Sequence, residues 1–258
     1  MSVNRKERVS PTMHPSLSVV LPAWNEGDNI GDAIDGAVRA LERLCRRYEV
    51  VVVDDGSTDD TAALVGAWSA RNSSVRLVKH PRNLGYGAAL RSGFRAARMD
   101  HVFFTDADLQ FDLSELALLL PHTRRHDIVC GYRHARQDPW NRRLNAWAWG
   151  RLVDAVFDVN VRDVNCAFKV FRREVLNHCV IRSDGAFVNA ELLARARARG
   201  YSMLQIPVSH FPRTLGVQTG AKPRVVARAF LELGMLYGEL RFLEEPDSAL
   251  APRSVGPR

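Results

Sequence analysis

The sequence predicts an α/β protein built on a mostly parallel, Rossmann-like sheet with helices on both faces. Two observations carry this. Short apolar runs at 17–22, 48–53, 75–79 and 101–106 alternate with stretches of helical periodicity, and near-continuous apolar strands are the mark of a sheet covered on both sides. Acidic clusters, Asp54-Asp55 and Asp106-Ala-Asp108, follow directly on two of those runs. In open α/β sheets the carboxyl ends of the strands are where ligands bind, so both clusters can face one ligand.

Taken in order, residues 1–15 are polar and broken by Pro11 and Pro15, which predicts a disordered arm. The run 17–22 closes on Pro22 and enters the turn Trp24-Asn25-Glu26. Ile30, Ile34, Val38, Leu41 and Leu44 then recur at helical spacing, giving an amphipathic helix to about residue 47. The second strand delivers Asp54-Asp55-Gly56-Ser57, after which Thr58 can cap a helix whose first turn holds Asp59 and Asp60. A third strand leads through Arg82-Asn83-Leu84-Gly85-Tyr86-Gly87 into a helix reaching residue 98. The fourth ends in Asp106, and another helix and a strand at 127–131 follow.

The second half is less regular. An aromatic-rich helix is expected over 139–157, with Trp140, Trp147 and Trp149 as core residues. A strand over 164–171, a helix over 186–199, a strand over 203–211 and a long helix over 222–243 complete the pattern, and 244–258 reads as a disordered tail. The last helix carries Val225, Val226, Phe230, Leu233, Leu236 and Tyr237, a face that suits either packing on the domain or resting on a membrane surface.

Hydrophobic content of 46% and charged content of 25% are those of a soluble globular chain. A net charge of +7 favours anionic partners, but the basic residues are scattered rather than striped, so nucleic acid is not expected. Four cysteines without CxxC spacing, no apolar run of membrane-spanning length and no leader-like start predict a cytoplasmic protein, at most touching the inner face of a membrane.

Asp106, Asp108 and Gln110 occupy alternate positions, so in extended backbone their oxygens converge on one hard cation, Mg²⁺ or Mn²⁺. A lone DxD is equally turn chemistry, and Asp54-Asp55-Gly56-Ser57 alone is equally a helix start. The first turn lacks G-x-G-x-x-G, and no G-x-x-x-x-G-K-[ST] occurs.

Together, Trp24-Asn25-Glu26, Asp54-Asp55-Gly56-Ser57, Arg82-Asn83-Leu84-Gly85 and Asp106-Ala-Asp108 form an ordered series. It resembles the family 2 glycosyltransferases, inverting enzymes of the GT-A fold, over about 16–241. Asp106-Ala-Asp108-Leu-Gln110 and Asp163-Val-Asn-Cys-Ala-Phe-Lys169 look most like the dolichyl-phosphate or polyprenyl-phosphate mannose synthase group. The resemblance implies a donor half at about 16–132 and an acceptor half at about 133–243. Pro22, Glu26, Asp54 and Asp55 would surround the nucleoside of a nucleotide-diphosphate sugar. Asp106, Asp108 and Gln110 would hold the metal that neutralises the leaving diphosphate. Arg133, Arg142, Arg143 and Arg213 would face donor or acceptor phosphate. A polyprenyl phosphate acceptor needs no strong base, whereas a soluble hydroxyl acceptor does, with Asp163 and Glu191 as candidates. Gly216-Val-Gln218-Thr219 stands where mannose-synthase relatives carry Gly-x-Ser-Lys, a difference that bears on the acceptor, and Ala167 replaces a glycine, a mild change. A phosphatase-like reading of the DxD fits poorly on a fourth strand, and a binding module without turnover conflicts with the intact Asp106, Asp108 and Gln110.

Overall fold

A computed structural model describes residues 13–134, 140–213 and 223–244. Seven strands, β1 (His14–Ala23), β2 (Cys45–Asp54), β3 (Val75–Lys79), β4 (His101–Thr105), β5 (Ile128–Arg133), β6 (Phe168–Arg172) and β7 (Met203–Val208), form one sheet in the order β3-β2-β1-β4-β6-β5-β7. Every pairing is parallel except those of β6, which runs antiparallel to both β4 and β5. The helices are α1 (Gly27–Leu44), α2 (Thr61–Arg71), α3 (Tyr86–Ala96), the short α4 (Leu116–Leu119), α5 (Trp140–Phe157), α6 (Arg173–His178), α7 (Val188–Ala198) and α8 (Pro223–Glu244).

The period-2 alternation of a strand divides the core into two layers. Val20, Val51, Val53 and Phe104 face one way, against Leu90 and Phe94 of α3, Leu192 and Leu193 of α7, and Leu233 and Leu236 of α8. Leu17, Val19, Leu21, Val50, Val52 and Phe103 face the other, against Ile30, Ile34 and Leu41 of α1, Val65 of α2, and Leu116 and Leu119 of α4. Each fully buried side chain of this size contributes about 1.5–3 kcal/mol. The sheet interior is therefore a rigid platform for the loops at its edges.

Several boundaries differ from the expectation. β1 begins at His14, inside the expected arm, because Ser16 donates to Asp100 Oδ2 at 2.6 Å and the His14 ring meets Thr123 Oγ1 at 3.1 Å. β2 begins at Cys45, directly after α1. The strand expected over 164–171 starts only at Phe168, since Cys166 N donates to Asp163 O and the chain turns there. Only a four-residue α4 flanked by 3₁₀ turns lies between β4 and β5, and α6 was not anticipated. Trp140 and Trp147 are exposed rather than core, while Trp149 packs on Phe187 and Phe230. On α8, Leu233, Leu236 and Leu240 are buried; Val226, Phe230 and Tyr237 lie on the exposed side. Expectations for 1–12, for 216–219 and for 245–258 lie outside the described residues. All four cysteines are buried free thiols, and burial pushes Cys166 up to about 12. No helix among the described residues is long and apolar enough to cross a membrane.

Candidate active site

The parallel registers align the strand ends. Ala23 pairs with Asp54, Asp54 with Lys79, and Val20 with Phe104, which brings Asp106 level with Pro22. β1 lies between β2 and β4, where the strand order changes direction, the position at which open α/β sheets bind ligands. Antiparallel β6 pairs Phe168 with Thr105, so its amino end, and Asp163 before it, arrive at the same edge.

Asp106 and Asp108 sit in a turn, not in extended backbone: β4 stops at Thr105 and Leu109 has φ of 60°. Strand alternation is therefore not what juxtaposes them. Tyr86, at the start of α3, donates its hydroxyl to Asp106 Oδ1 at 2.8 Å. Asp108 Oδ1 accepts from Gln110 N at 3.3 Å, and Oδ2 lies 3.8 Å from an Arg213 guanidinium nitrogen. Burial, and next the charge of Asp108, push Asp106 up to about 7. Burial also raises Asp108, against the pull of Gln110 N and Arg213. Two carboxylates crowded in a poorly hydrated turn lack enough positive charge, and a divalent cation fits that deficit. Among the described residues no three His, Cys, Asp or Glu side chains close around a metal. The carboxylate pair would need neutral oxygens to complete a shell, as hard cations held jointly by protein and phosphate do.

Gln110 is placed differently from the simple three-ligand picture. Its Nε2 donates to Phe211 O at 3.0 Å, and Phe211 N donates back to Gln110 O at 2.9 Å. The carboxamide stitches the DxD turn to the segment after β7, leaving its oxygen as the end suited to a cation.

The β1 and β2 turns are fastened to each other. Asn25, at φ of 54°, donates its N–H to Ser57 Oγ and accepts from Thr58 N on its Oδ1, both at 2.9 Å. Asp59 accepts from Gly27 N and Thr61 N, and Thr61 Oγ1 accepts from Glu26 N. Thr58 is thus no helix cap. Asp54 is fully buried, with Oδ1 accepting from Ser57 N at 3.0 Å and Oδ2 without a partner. Asp55 has three partners within the protein: it accepts from Leu84 N and Gly85 N and pairs with His80 Nδ1 at 2.7 Å, while His80 Nε2 meets Ser92 Oγ. Its role here is to clamp the 81–85 loop. Gly56 and Gly85 are obligatory at φ of 70° and 104°, since a Cβ would strike the backbone of Arg82 and of Asp184 respectively.

On the far side, Arg133 forks onto Asp163 through Nε and an Nη at 2.7 and 2.8 Å. Lys169, fully buried in β6, donates to Val164 O and Cys166 O and stands over the Phe104 ring, holding the turn that presents Asp163. Arg213 pairs with Glu26 Oε1 at 2.6 Å, and Asn29 Nδ2 holds Oε2 at 2.8 Å. Arg143 is exposed on α5; the Arg142 side chain lies outside those described. Glu191 is neither solvated nor poised as a base. It is buried, accepting from Arg182 N, Ser183 N and Arg195 Nε. Arg195 forks in turn onto Glu239 of α8.

The edge thus gathers Pro22, Glu26, Asp54, Asp106, Asp108, Gln110 and Arg213, with the Arg133–Asp163 pair brought to it by β6. Two contributors went unread in the sequence. Tyr86 was masked by its flanking glycines, although a tyrosine at a helix start facing a strand end was its signal. Lys169 carried none beyond a lone cation in an apolar strand.

Residues 18–180 match the model of glycosyl transferase family 2. Among solved structures, the chain is similar to glucosyl-3-phosphoglycerate synthase from Mycobacterium tuberculosis. The complex with UDP superposes with a TM-score of 0.69 at 22% identity, over 87% of this chain and 80% of that one. The complex with Mn²⁺ and UDP-glucose gives 0.65 at 24%, over 85% and 79%. The complex with Mn²⁺, UDP and phosphoglyceric acid gives 0.66 at 24%, over 85% and 78%. At these identities the shared property is the fold.

Proposed function

We propose, on the premise that this chain belongs to glycosyl transferase family 2 and has its GT-A fold, that it moves a hexose from a nucleotide-diphosphate sugar to a polyprenyl phosphate at the cytoplasmic face of a membrane. The observation that carries the donor side is the Asp106–Asp108 pair, crowded at the topological switch point with Asp106 held near 7. Asp106 and Asp108, with the Gln110 carboxamide oxygen, would hold Mg²⁺ or Mn²⁺. When bound, that cation neutralises charge on the departing diphosphate. UDP-glucose and Mn²⁺ in the complexes of the similar synthase support a uridine donor and glucose among the candidate sugars.

The chain's own residues would do the rest. Tyr86 fixes Asp106 by one carboxylate oxygen, and the other would face the cation. Asp54 brings an unpartnered buried oxygen to the β2 end, suited to accept from a base or ribose. Arg213, shared between Glu26 and Asp108, ties the nucleoside side of the edge to the diphosphate side. An acceptor oxygen attacks the anomeric carbon from the face opposite the diphosphate; the new bond forms as the old one breaks, with inversion. The ion pairs of Asp163 and Glu191 favour an acceptor that needs no base. A phosphate is already ionised near neutral pH.

A second reading has one specific observation behind it. The similar synthase was captured with phosphoglyceric acid, a small phosphorylated hydroxyl compound. For such an acceptor here, Asp163 would have to leave Arg133 to take the hydroxyl proton while Arg133 took the phosphate.

A transfer assay with labelled sugar nucleotides, Mn²⁺ or Mg²⁺, and either polyprenyl phosphate or 3-phosphoglycerate tests both, run beside Asp108→Ala. Metal-dependent labelling of the lipid, absent in the variant, is the expected result. Labelling of phosphoglycerate alone would replace the first reading by the second. Metal-independent labelling insensitive to Asp108→Ala would sink the assignment of the site.

A further inference from the structure

The helix that follows the catalytic edge of β5 turns an apolar stripe to solvent. Trp140, Leu144 and Trp147 of α5 stand at i, i+4 and i+7, hence on one face, and are 77%, 51% and 64% exposed. The helix does not need that stripe for its own anchorage. Val153 is fully buried and Trp149 packs edge-on against Phe187 and Phe230 at 6.1 and 5.5 Å. Three large apolar side chains in a row on an otherwise anchored helix mark a surface that something covers.

Charge decides what. From residue 140 to residue 153 the sequence has Arg142, Arg143 and Arg151 and no acidic residue. Arg143 and Arg151 are exposed, and Arg151 makes only a long surface ion pair, to Asp154 at 4.0 Å. Two copies meeting through this stripe would bring Arg143 and Arg151 of each together with Asp154 as the one neighbouring carboxylate, an excess of positive charge that opposes association. An anionic lipid surface supplies the missing charge. Indole rings settle at the boundary of headgroups and acyl chains, and arginine stems lie along the apolar surface with their heads among phosphates.

We infer that the exposed face of α5 docks the protein onto an anionic phospholipid surface, with Trp140, Leu144 and Trp147 inserted and Arg143 and Arg151 on the headgroups. α5 follows β5, whose end carries Arg133, so the docking helix belongs to the half of the chain read as the acceptor side. This deepens the lipid-acceptor reading and is tested without it, since plain phospholipid vesicles contain no polyprenyl phosphate.

The full chain is floated with vesicles of phosphatidylcholine alone and with about one-third phosphatidylglycerol, at low and high salt. Binding to the anionic vesicles is expected to exceed that to neutral ones at least about tenfold and to fall with salt, with a blue-shifted tryptophan emission. Trp140→Ser/Trp147→Ser abolishes the binding and the shift; Arg151→Glu weakens binding about fivefold or more. Thermal melts confirm that both variants remain folded. No binding to either vesicle at low salt, or binding untouched by the double substitution, overturns the inference. So does a dimer in sedimentation equilibrium that the double substitution dissociates, which would assign the stripe to a second copy. Loss of vesicle binding with intact soluble-donor hydrolysis would leave the transfer site standing.

Discussion

The two halves of the molecule are held together by different physics. On the β1–β2 side, polar groups find partners within the same turn: Asp54 with Ser57 and Asp59 with Thr61. On the β5–β7 side, charged groups meet across long stretches of chain: Arg133 with Asp163, Arg195 with Glu239, and Arg213 with Glu26, which spans 187 residues. The first arrangement forms as its turns form. The second exists only once the sheet has closed, and a missing partner there strands a buried charge.

Substitutions can break that contrast. Asp108→Ala should lower transfer by about a thousandfold or more, since it removes a carboxylate proposed to hold the metal, while leaving the melting temperature unchanged or higher, because one of two mutually repelling buried carboxylates is gone. Rates and melts with and without Mn²⁺ check this; a large drop in stability would show the pair to be structural.

Glu191→Ala should act the other way round. It leaves Arg195, 2% exposed, with only Glu239, and removes acceptors from Arg182 N and Ser183 N. Stability should fall by about 3–5 kcal/mol in urea titration, and Glu191→Gln should recover part of it.

The amino end of the sheet offers a pH test. His14 is buried against His101 and its pKa is lowered to about 4, by burial first and by His101 next. The folded imidazole stays neutral where the unfolded one, at about 6.5, takes a proton. Stability is therefore complete above pH 6.5 and declines as pH falls from 6.5 toward 4, by up to about 3 kcal/mol. Urea midpoints at three pH values should show that slope, reduced in His14→Gln.

The smallest effect sharpens the comparison at the site itself. Tyr86→Phe removes the hydroxyl that draws Asp106 downward, so Asp106 should titrate higher and Mn²⁺ binding should need a higher pH. Apparent Mn²⁺ affinity should rise with pH through about 7 in the parent. In the variant it should fall about tenfold near neutrality; calorimetry at pH 6, 7 and 8 reads both.

Much of the first half was legible because its strands announce themselves. The runs ending at Pro22, Val53 and Asp106 are apolar on both faces, and each closes on the polar group it delivers. The second half hid its plan. Phe168-Lys-Val-Phe-Arg172 has the composition of any strand, and nothing in it says that it runs antiparallel between β4 and β5. Yet that reversal is what carries Asp163 to the edge where Asp106 and Asp108 lie. Residue type makes Glu191 a candidate base; its partners, Arg182 N, Ser183 N and Arg195, are set by packing rather than spacing alone. Hydrophobicity alone assigns Trp140 and Trp147 to the core, but it cannot say which face of a helix is turned inward.

By itself the sequence determined the α/β class, the carboxylates at the ends of β2 and β4, and, through the ordered motifs, the family. These depend on local periodicity and on turn residues a short distance apart. Only the tertiary structure decided that Asp55 clamps a loop, that Tyr86 holds Asp106, that Asp163 and Glu191 are bound to arginines, and that α5 shows its tryptophans to solvent. Which groups lose water, and which partner replaces it, depends on chain segments far apart in sequence meeting at one edge of the sheet.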